Sequence, residues 1–399
     1  MQSFDAIVVG AGPAGSTAAR HLSRTGARVL VLDRASFPRE KPCGGGITFR
    51  ADTATDLDLA PVTEREIHGV HISIKRGRSF RRHSGGALLA RMTQRSRLDA
   101  HLLAEAAGAG AEVRDGQPVK AIEPNGAGAC VRTQSDAYRA PVIIGADGVN
   151  GVTARSIGAR PAAETAVALE ANYPLDRALE ERWRDVIGLD LAGIPGGYGW
   201  VFPKGDHLNV GVGGWHYTGP TLRRELAALC AYHALDPARL YGHRGYRLPL
   251  RRDSAPIVRG PVMLAGDAAA LVDPLSGEGI WAAFVSGRLA AEHAHRYLAG
   301  DAPDLRAYQH AVGHEIHLDI VGSRRLQGIF QRLPSVSILM LKYNDTFWRY
   351  LVQIIRGDLT YPDLPRKLGP LGHALEAWGD LEHRLHARDI ARRTATGAP

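Results

Sequence analysis

The first 33 residues follow the order strand, glycine-rich turn, helix, strand, and this order restricts the fold more than any other feature. The apolar run DAIVVG (residues 5–10) predicts a buried strand, and ARVLVLD predicts a second strand that ends at Asp33. Between them, Gly10, Gly12 and Gly15 form G-x-G-x-x-G. The tight turn, the approach of backbone to pyrophosphate and the helix–strand packing each exclude a side chain there. Because Asp33 can accept a hydrogen bond from a ribose hydroxyl, the pattern predicts a dinucleotide-binding βαβ unit.

Two later strands each run into an aspartate. VIIGADG (residues 142–148) contains Asp147, and VMLAGD (residues 262–267) ends at Asp267. A carboxylate at such a strand end can accept hydrogen bonds from the ribityl hydroxyls of a flavin. The segment SGEG (residues 276–279) opens a helix whose amides can face the flavin carbonyl edge. Either aspartate could instead cap a helix, but the ordered set of three motifs favours FAD.

Composition and charge exclude several classes of protein. The chain has 399 residues, 45% hydrophobic and 23% charged, and no apolar run approaches the roughly 20 residues that span a bilayer. The N-terminus opens directly into a strand rather than a leader, so we expect a cytoplasmic protein. The formal charge of +8 comes from dispersed arginines without interleaved aromatics, which argues against nucleic-acid binding. Contact with anionic lipid at the inner membrane face, or with a phosphorylated substrate, explains the charge equally well.

Disulfide and metal chemistry are not expected. The three cysteines are an odd number at wide spacing without a zinc motif. His310, His314 and His317 recur at helical spacing, but no acidic or cysteine cluster accompanies them. We therefore interpret these histidines as one solvated or core-edge face of a helix and predict no metal ligands.

The order of the motifs resembles the para-hydroxybenzoate hydroxylase superfamily of flavoproteins. Within it, FPREKPCGGGI (residues 37–47), YGWVFPKGDHLNVGVGG (198–214) and IIRGDLTYPDL (354–364) are similar to the geranylgeranyl reductase family, which saturates prenyl double bonds with reduced FAD. The resemblance implies that the P-x-x-C-G-G-G stretch lies beside the isoalloxazine ring and that Y-x-W-x-F-P lines a prenyl pocket. It also places Arg95 near the pyrophosphate or ribityl chain. The spacing of the prolines before Cys43 departs from the family pattern.

The motifs and the resemblance together give a set of candidate residues. Those assigned to FAD are Gly10, Gly12, Ala14, Gly15, Asp33, Arg34, Cys43, Gly44, Gly45, Gly46, Arg95, Val119, Asp147, Gly266, Asp267, Gly277, Gly279 and Ile280. Those assigned to substrate are Tyr198, Trp200, Phe202 and Pro203. Cys43 and Tyr198 are the predicted catalytic residues.

The local sequence supports parts of this assignment without the resemblance. Three consecutive glycines after Cys43 let backbone amides approach a flat ring system face on. Tyr198, Trp200 and Phe202 alternate along a strand and share one face, either as the wall of a pocket or as ordinary sheet core. Cys43 is either a small buried hydrophobe or a proton donor. An ordered water is a further candidate donor, and the sequence does not rank these sources.

The motif order predicts a mixed α/β fold with α+β character. It contains a Rossmann-like FAD-binding domain, an interleaved antiparallel-sheet substrate domain and a helical C-terminal region. The predicted ranges are 1–69, 94–160 and 260–300 for the FAD domain, 70–93 and 161–259 for the substrate domain, and 301–399 for the helical region. The amphipathic segment 376–393 has a basic end that could rest on a membrane.

Three functions are compatible with these features. The favoured one is an FAD-dependent reductase that saturates double bonds of a geranylgeranyl or polyprenyl chain on a lipid or prenylated small molecule. The alternative is a monooxygenase or halogenase acting on an apolar or aromatic small molecule, although the halogenase pattern W-x-W-x-I-P and its lysine are not evident. A lipid-binding flavoprotein without enzymatic activity is third. No second nucleotide motif is present, so the electron donor, NAD(P)H or ferredoxin, and the oligomeric state stay open.

Overall fold

Strands and helices are interleaved along the chain, for which the computed structural model describes residues 1–126, 128–159, 164–251, 255–370, 372–382 and 384. In these residues the strands are β1 (Gln2–Ser3), β2 (Ala6–Val9), β3 (Val29–Leu32), β4 (Gly46–Thr48), β5 (Arg65–Ile67), β6 (Gly69–Ile74), β7 (Ser79–His83), β8 (Ala90–Met92), β9 (Glu112–Arg114), β10 (Ala121–Asn125), β11 (Gly128–Arg132), β12 (Ala137–Ala140), β13 (Val142–Gly145), β14 (Glu164–Pro174), β15 (Val186–Leu191), β16 (Tyr198–Pro203), β17 (His207–Trp215), β18 (Tyr241–Leu250), β19 (Val258–Arg259) and β20 (Val262–Leu264).

The helices of the described ranges are α1 (Pro13–Ser23), α2 (Phe49–Asp52), α3 (Arg95–Gly108), α4 (Thr153–Ser156), α5 (Arg177–Arg182), α6 (Leu222–Tyr232), α7 (Ile280–Leu298), α8 (Arg306–Val312), α9 (Leu318–Arg332), α10 (Pro334–Tyr343), α11 (Asp345–Arg356) and α12 (Leu364–Leu368). Short 3₁₀ turns lie at Ala60–Val62, His216–Thr221, Pro237–Arg239, Gly266–Ala269 and Tyr361–Asp363. A π-helical turn lies at Gly313–His317, and residues 372–382 are helical.

A six-stranded sheet in the order β19-β20-β13-β2-β3-β9 carries the glycine-rich turn. Its strands are parallel except for the edge strand β19. The strands β2, β3, β13 and β20 are buried along their whole length, because helices cover both faces of a parallel sheet and leave no polar side. Helix α1 packs against α3 and α7 as well as against β3. The predicted Rossmann-like, mixed α/β fold is thereby confirmed.

A seven-stranded sheet in the order β18-β14-β17-β16-β15-β6-β7 forms the second large layer. All neighbouring pairs are antiparallel except β15 and β6. Strands β16 and β17 form the expected hairpin, closed by a hydrogen bond of 2.8 Å from Lys204 N to His207 O. Helix α6 packs on this sheet through an apolar core that includes Leu226 and Val210.

Two smaller sheets join the larger ones. One has the order β1-β12-β11-β10, and the other has the order β4-β8-β5. Strand β8 falls in the segment assigned to the substrate domain, yet it pairs with β4, which starts at Gly46 in the glycine loop. The proposed division into domains stays a prediction. Residues 127, 160–163, 252–254, 371, 383 and 385–399 of the predicted domains lie outside the described residues, as does much of the predicted amphipathic segment 376–393.

The described C-terminal region is helical, as predicted. Helices α10 and α11 pack on the seven-stranded sheet, where Leu341 and Trp348 join an apolar cluster with Val70 and Ile72. Helix α10 also carries a row of exposed apolar side chains, which are Val336, Leu339, Met340 and Tyr343. None of the helices in the described part of the chain has the length and apolar character that a membrane crossing requires.

The three histidines at helical spacing do not lie on one regular helix. His310 belongs to α8, whereas His314 and His317 belong to the π-helical turn that follows it. The wider turn changes the angular spacing that a continuous α-helix would give these side chains. Across the described ranges, no group of three or more histidine, cysteine, aspartate or glutamate side chains is arranged to hold a metal ion.

Candidate cofactor and substrate site

Gly10 and Gly15 are closely packed in the first glycine-rich turn, whereas the space beside Gly12 is open. Gly10 has a φ of +100°, and a Cβ there would overlap the carbonyl oxygen of Ala146. A Cβ at Gly15 would overlap the carbonyl oxygen of Gly10, so these two glycines are required by the packing of strand and helix. At Gly12 the nearest atom to a Cβ would be Arg39 Nη2, 3.6 Å away. The turn therefore presents an open cradle at the start of α1, which suits a pyrophosphate.

Asp33 lies at the base of this turn, at the end of β3. Its Oδ2 accepts a hydrogen bond of 2.7 Å from the Ala11 amide, and Arg34 beside it is exposed. The Gln117 amide donates to the Asp33 carbonyl at 2.7 Å, which brings the segment containing the half-buried Val119 next to it. The predicted ribose carboxylate and the predicted contact at Val119 are therefore neighbours.

A cluster of two arginines and one aspartate borders the open side of the turn. Arg95 is buried and donates two hydrogen bonds to Asp99, of 2.8 and 2.7 Å. Arg39 lies 3.0 Å from the same carboxylate. Burial works against the charge of Arg95, but Asp99 outweighs it and raises the pKa of the guanidinium. Two guanidinium groups share one carboxylate, so a net positive charge remains next to Gly12.

Asp147 makes a different contact from the one the flavin interpretation assigns to it. Its Oδ2 accepts hydrogen bonds from Val152 N at 2.6 Å and from Thr153 N and Oγ1 at 2.9 Å each. These bonds cap α4, which is the alternative role weighed above. Burial raises the pKa of Asp147, and its Oδ1 is buried without a hydrogen-bond partner in the described chain. Only Oδ1 could contact a ligand.

Asp267 is held as a carboxylate by two side chains that the sequence did not single out. Its Oδ2 accepts a hydrogen bond of 3.0 Å from Tyr246 and lies 3.3 Å from Lys41 Nζ. Burial opposes the charge, but Lys41 and Tyr246 hold the pKa of Asp267 below its ordinary value. A Cβ at Gly279 would lie 3.3 Å from Asp267 Oδ1, so the start of α7 closely approaches this carboxylate.

The remaining predicted FAD residues of this region pack α1 against α7. The Gly266 amide donates to Ser286 Oγ at 3.0 Å, and a Cβ at Gly266 would lie 3.0 Å from that of Ala14. Ile280 is the buried first residue of α7. Gly266 and Ala14 must therefore stay small for α1 and α7 to approach this turn, whether or not a ligand is present.

The CGGG loop rests on a buried lysine. Lys204 is 2% exposed, and its Nζ donates hydrogen bonds to Gly44 O at 2.6 Å, Gly45 O at 3.1 Å and Thr93 O at 2.9 Å. Burial lowers the pKa of Lys204 to about 8. A turn lysine in the sequence K-G-D is expected in solvent, so sequence patterns alone did not indicate this contact.

Cys43 is half-buried, and its thiol lies beside the guanidinium of Arg95, whose pKa it helps to raise. Its amide donates a hydrogen bond of 3.0 Å to Glu170 Oε1, and its Sγ accepts one of 3.4 Å from the Gly45 amide. Burial raises the pKa of Glu170, which lies on β14 across the site. Glu170 is a second residue that the sequence patterns did not single out, because its partner is 127 positions away.

Tyr198, Trp200 and Phe202 form a continuous row of rings on β16. Neighbouring ring centroids are 6.1 and 6.3 Å apart, and Trp200 Nε1 donates to Asn209 Oδ1 at 2.8 Å. A Cβ at Gly44 would lie 2.9 Å from the Phe202 ring, so this end of the row touches the CGGG loop. Pro203 is buried at the end of β16.

The other end of the row touches the loop before α7. The Tyr198 hydroxyl donates to the Ser276 carbonyl, and burial raises the pKa of this phenol. A Cβ at Gly277, whose φ is +71°, would lie 3.8 Å from the Tyr198 hydroxyl. The aromatic row therefore bridges the two loops that sequence patterns assign to the flavin ring.

Relatives were found by family model and by sequence. A model described as an FAD binding domain matches residues 3–177. The chain is 32% identical to digeranylgeranylglycerophospholipid reductase of Thermoplasma acidophilum, over 73% of this chain and 78% of that protein. It is 33% identical to menaquinone reductase of Mycobacterium tuberculosis, over 73% and 76% of the two chains. It is 32% identical to geranylgeranyl diphosphate reductase of Rhodobacter capsulatus, over 75% and 77%.

Solved structures share the fold. A geranylgeranyl bacteriochlorophyll reductase-like protein of Thermoplasma acidophilum superposes with a TM-score of 0.71 at 26% identity, over 90% of this chain and 93% of that chain. A flavin-dependent brominase superposes with a TM-score of 0.73 at 20% identity, over 97% and 100%. The second likeness concerns the fold alone.

Proposed function

The chain belongs to the geranylgeranyl reductase family of FAD-dependent oxidoreductases, and we propose that it saturates carbon–carbon double bonds in the isoprenoid chain of a lipid or prenylated small molecule. The observation that carries the proposal is the aromatic row on β16, which touches the CGGG loop through Phe202 and the loop before α7 through Tyr198. An apolar wall between these loops suits a hydrocarbon chain. Two of the three relatives are named for geranylgeranyl substrates.

The chain's own residues fit an FAD molecule. The open cradle at Gly12 and the positive charge of Arg39 and Arg95 suit the pyrophosphate, and Asp33 suits the adenosine ribose. Asp267 suits the ribityl hydroxyls. Reduced FAD, when bound, supplies the hydride that the reduction requires.

The aromatic row would have to bind an isoprenoid chain that has no polar group for recognition. Each five-carbon isoprene unit that the aromatic row buries contributes up to about 4 kcal/mol, at about 0.8 kcal/mol per buried carbon. Trp200 is buried in the middle of the row, and its indole N–H is satisfied by Asn209, so its ring adds apolar surface without an unpaired polar group. The same apolar surface keeps water from the reacting bond.

An anaerobic assay tests the proposed function. Protein reduced with dithionite is mixed with candidate prenyl lipids, and the lipids are analysed by mass spectrometry, with a parallel reaction in air. We expect a gain of hydrogen atoms in pairs without oxygen. A gain of oxygen in air alone would support the monooxygenase or halogenase alternative, and an unchanged lipid in both reactions would contradict catalysis on these substrates.

For the membrane contact, we infer that α10 rests on an anionic lipid surface. Its exposed row of Val336, Leu339, Met340 and Tyr343 is flanked by Lys342 and by Arg332, whose side chain is 70% exposed and lies 3.7 Å from Glu382. Apolar side chains next to cations match the acyl boundary and the head groups of such a surface. Leu339→Ser should reduce cosedimentation with phosphatidylglycerol vesicles while leaving FAD content unchanged. Equal cosedimentation of both proteins would contradict the inference.

A further inference from the structure

The loop before α7 carries two ionisable side chains, Asp273, which accepts hydrogen bonds from the amides of Leu275 and Ser276, and Glu278. Glu278 follows Gly277, whose Cβ position is 3.8 Å from the Tyr198 hydroxyl, and precedes Gly279, whose Cβ position is 3.3 Å from Asp267 Oδ1. Its backbone therefore lies between the aromatic row and the carboxylate assigned to the ribityl chain, and its carboxyl group is close enough to Tyr198 for its charge to raise the pKa of that phenol. The residue is half-buried.

Thr48 fixes the orientation of the Glu278 carboxyl group. Thr48 Oγ1 accepts a hydrogen bond from Ala51 N at 3.2 Å, so its own proton is free to be donated to Glu278 Oε1, at 2.7 Å. Thr48 comes two residues after the CGGG loop, which links the carboxyl group to the same loop as Cys43. Oε1 is thereby engaged as an acceptor, and Oε2 is the oxygen that can carry a transferable proton.

The surroundings of Glu278 keep this proton bound near neutral pH. Burial raises the pKa of Glu278 to about 7, with Asp273 acting in the same direction and Thr48 and Arg50 acting against it. Arg50 also forms an ion pair with Asp319. The phenols of Tyr198 and Tyr361, whose pKa values burial raises, are also coupled to this carboxyl group. A pKa near the working pH is what general acid catalysis requires.

The two predicted proton donors are less suited to the task. The Tyr198 hydroxyl already donates its proton to the Ser276 carbonyl, and burial raises its pKa away from neutrality. Cys43 Sγ accepts a hydrogen bond from the Gly45 amide and so helps to shape the loop. Glu278 has both an oriented carboxyl group and a proton that is available at neutral pH.

We propose that Glu278 is the acid that protonates the alkene, a role that rests on the proposed function. One alkene carbon accepts the hydride from reduced FAD, and the other accepts the proton from Glu278 Oε2. The π bond breaks, two C–H bonds form, and the flavin is oxidised. Glu278 becomes a carboxylate and regains a proton from solvent.

Glu278→Gln tests the proposal, because the amide oxygen can still accept from Thr48 while the acid is lost. Single-turnover oxidation of the pre-reduced protein by a prenyl lipid should slow by about 10²-fold or more. The wild-type rate should fall as the pH rises through about 7, where the carboxyl group loses its proton, and the variant should lack this dependence. Glu315→Gln, which changes an exposed partner of Arg288, should behave like the wild type.

A second measurement does not depend on activity. Infrared difference spectra of the substrate-free protein, taken at about pH 6 and about pH 8, should contain a protonated carboxyl band that Glu278→Gln removes and Glu315→Gln retains. If Glu278→Gln lowers FAD content, the single-turnover rate of Glu278→Asp at saturating FAD must be higher than that of Glu278→Gln. Failure of that recovery would overturn the proposal.

The outcomes separate this proposal from the function on which it rests. Turnover by the wild type with an undiminished rate in Glu278→Gln would overturn the role of Glu278 alone. Persistence of the infrared band in that variant would overturn it as well. Lack of turnover by the wild type with every prenyl lipid would overturn the proposed function and this role together. A larger loss in Cys43→Ala than in Glu278→Gln, with a rate retained in Cys43→Ser, would assign the proton to the thiol instead.

Discussion

Replacement of Lys204 by methionine would remove the buried ammonium beneath the CGGG loop while keeping a side chain of similar length. The ammonium donates to the carbonyls of Gly44, Gly45 and Thr93. No carboxylate is within salt-bridge distance of it in the described chain, so the carbonyls are its direct partners, and Glu64 and Glu170 stabilise its charge from farther away. The variant therefore isolates the energetic effect of one buried charge.

Two contributions of opposite sign set the size of the effect. Gly45 O keeps its hydrogen bond from Thr93 N at 2.8 Å, whereas Gly44 O and Thr93 O lose their donor, at about 1–3 kcal/mol for each buried carbonyl. Burial lowers the pKa of Lys204 from 10.5 to about 8. Keeping the ammonium charged at pH 7 therefore costs the folded chain about 3 kcal/mol, which the variant avoids. We expect a net destabilisation of no more than about 3 kcal/mol at neutral pH.

The pH dependence is the sharper prediction. Below about pH 8 both the folded and the unfolded chain carry the proton of Lys204, and the folded chain bears the full cost of burial. Between pH 8 and 10.5 the unfolded chain keeps the proton and the folded chain releases it. The free energy of unfolding of the wild type should then rise relative to that of Lys204→Met by about 1.4 kcal/mol per pH unit.

Urea unfolding of both proteins at a series of pH values measures this difference, since contributions from all other groups cancel to first order. Lys120→Met, at an exposed loop position, is the matched control and should follow the wild type at every pH. A difference between wild type and Lys204→Met that does not change between about pH 7 and about pH 10 would refute the assignment of Lys204 as a buried cation.

Three further changes test the predicted site. Asp267→Ala should weaken FAD binding by about 1.5–3 kcal/mol, because a charge-assisted hydrogen bond is lost, and an unchanged Kd in a fluorescence titration would remove Asp267 from the site. Trp200→Ala should keep its FAD but lower turnover of long prenyl chains more than of short ones, whereas equal losses would contradict a wall that contacts the chain. Cys43→Ser and Cys43→Ala should give similar single-turnover rates if the thiol only shapes the loop, and a faster Ser variant would restore the thiol as a proton donor.

Sequence reasoning predicted the structure correctly where the residues that determine an element lie in one short stretch of the chain. The continuous apolar strands and Gly15, which packs on the Gly10 carbonyl, belong to a single βαβ unit, so their pattern predicts the Rossmann-like sheet. The row of Tyr198, Trp200 and Phe202 follows from the alternation of side chains along β16. In each case the structure adds distances but does not change the element.

Sequence reasoning could not identify partners that are distant along the chain, and it left open which of two competing local roles a residue takes. Lys204 reaches carbonyls more than 100 positions away, and no local pattern distinguishes such a lysine from one in a solvated turn. The amides of Val152 and Thr153 take the carboxylate of Asp147, because they are orphan donors at the start of a helix. The π-helical turn at Gly313–His317 likewise depends on packing that histidine spacing does not report.

The three hydrogen bonds of Lys204 also restrict where a substrate chain can enter the site. They tie the glycine loop, the end of β8 and the hairpin that carries the aromatic row to a single atom. Separation of the hairpin from the glycine loop would break two of these bonds, and its separation from the end of β8 would break the third. A chain that entered between these surfaces would therefore have to displace the ammonium from its carbonyls.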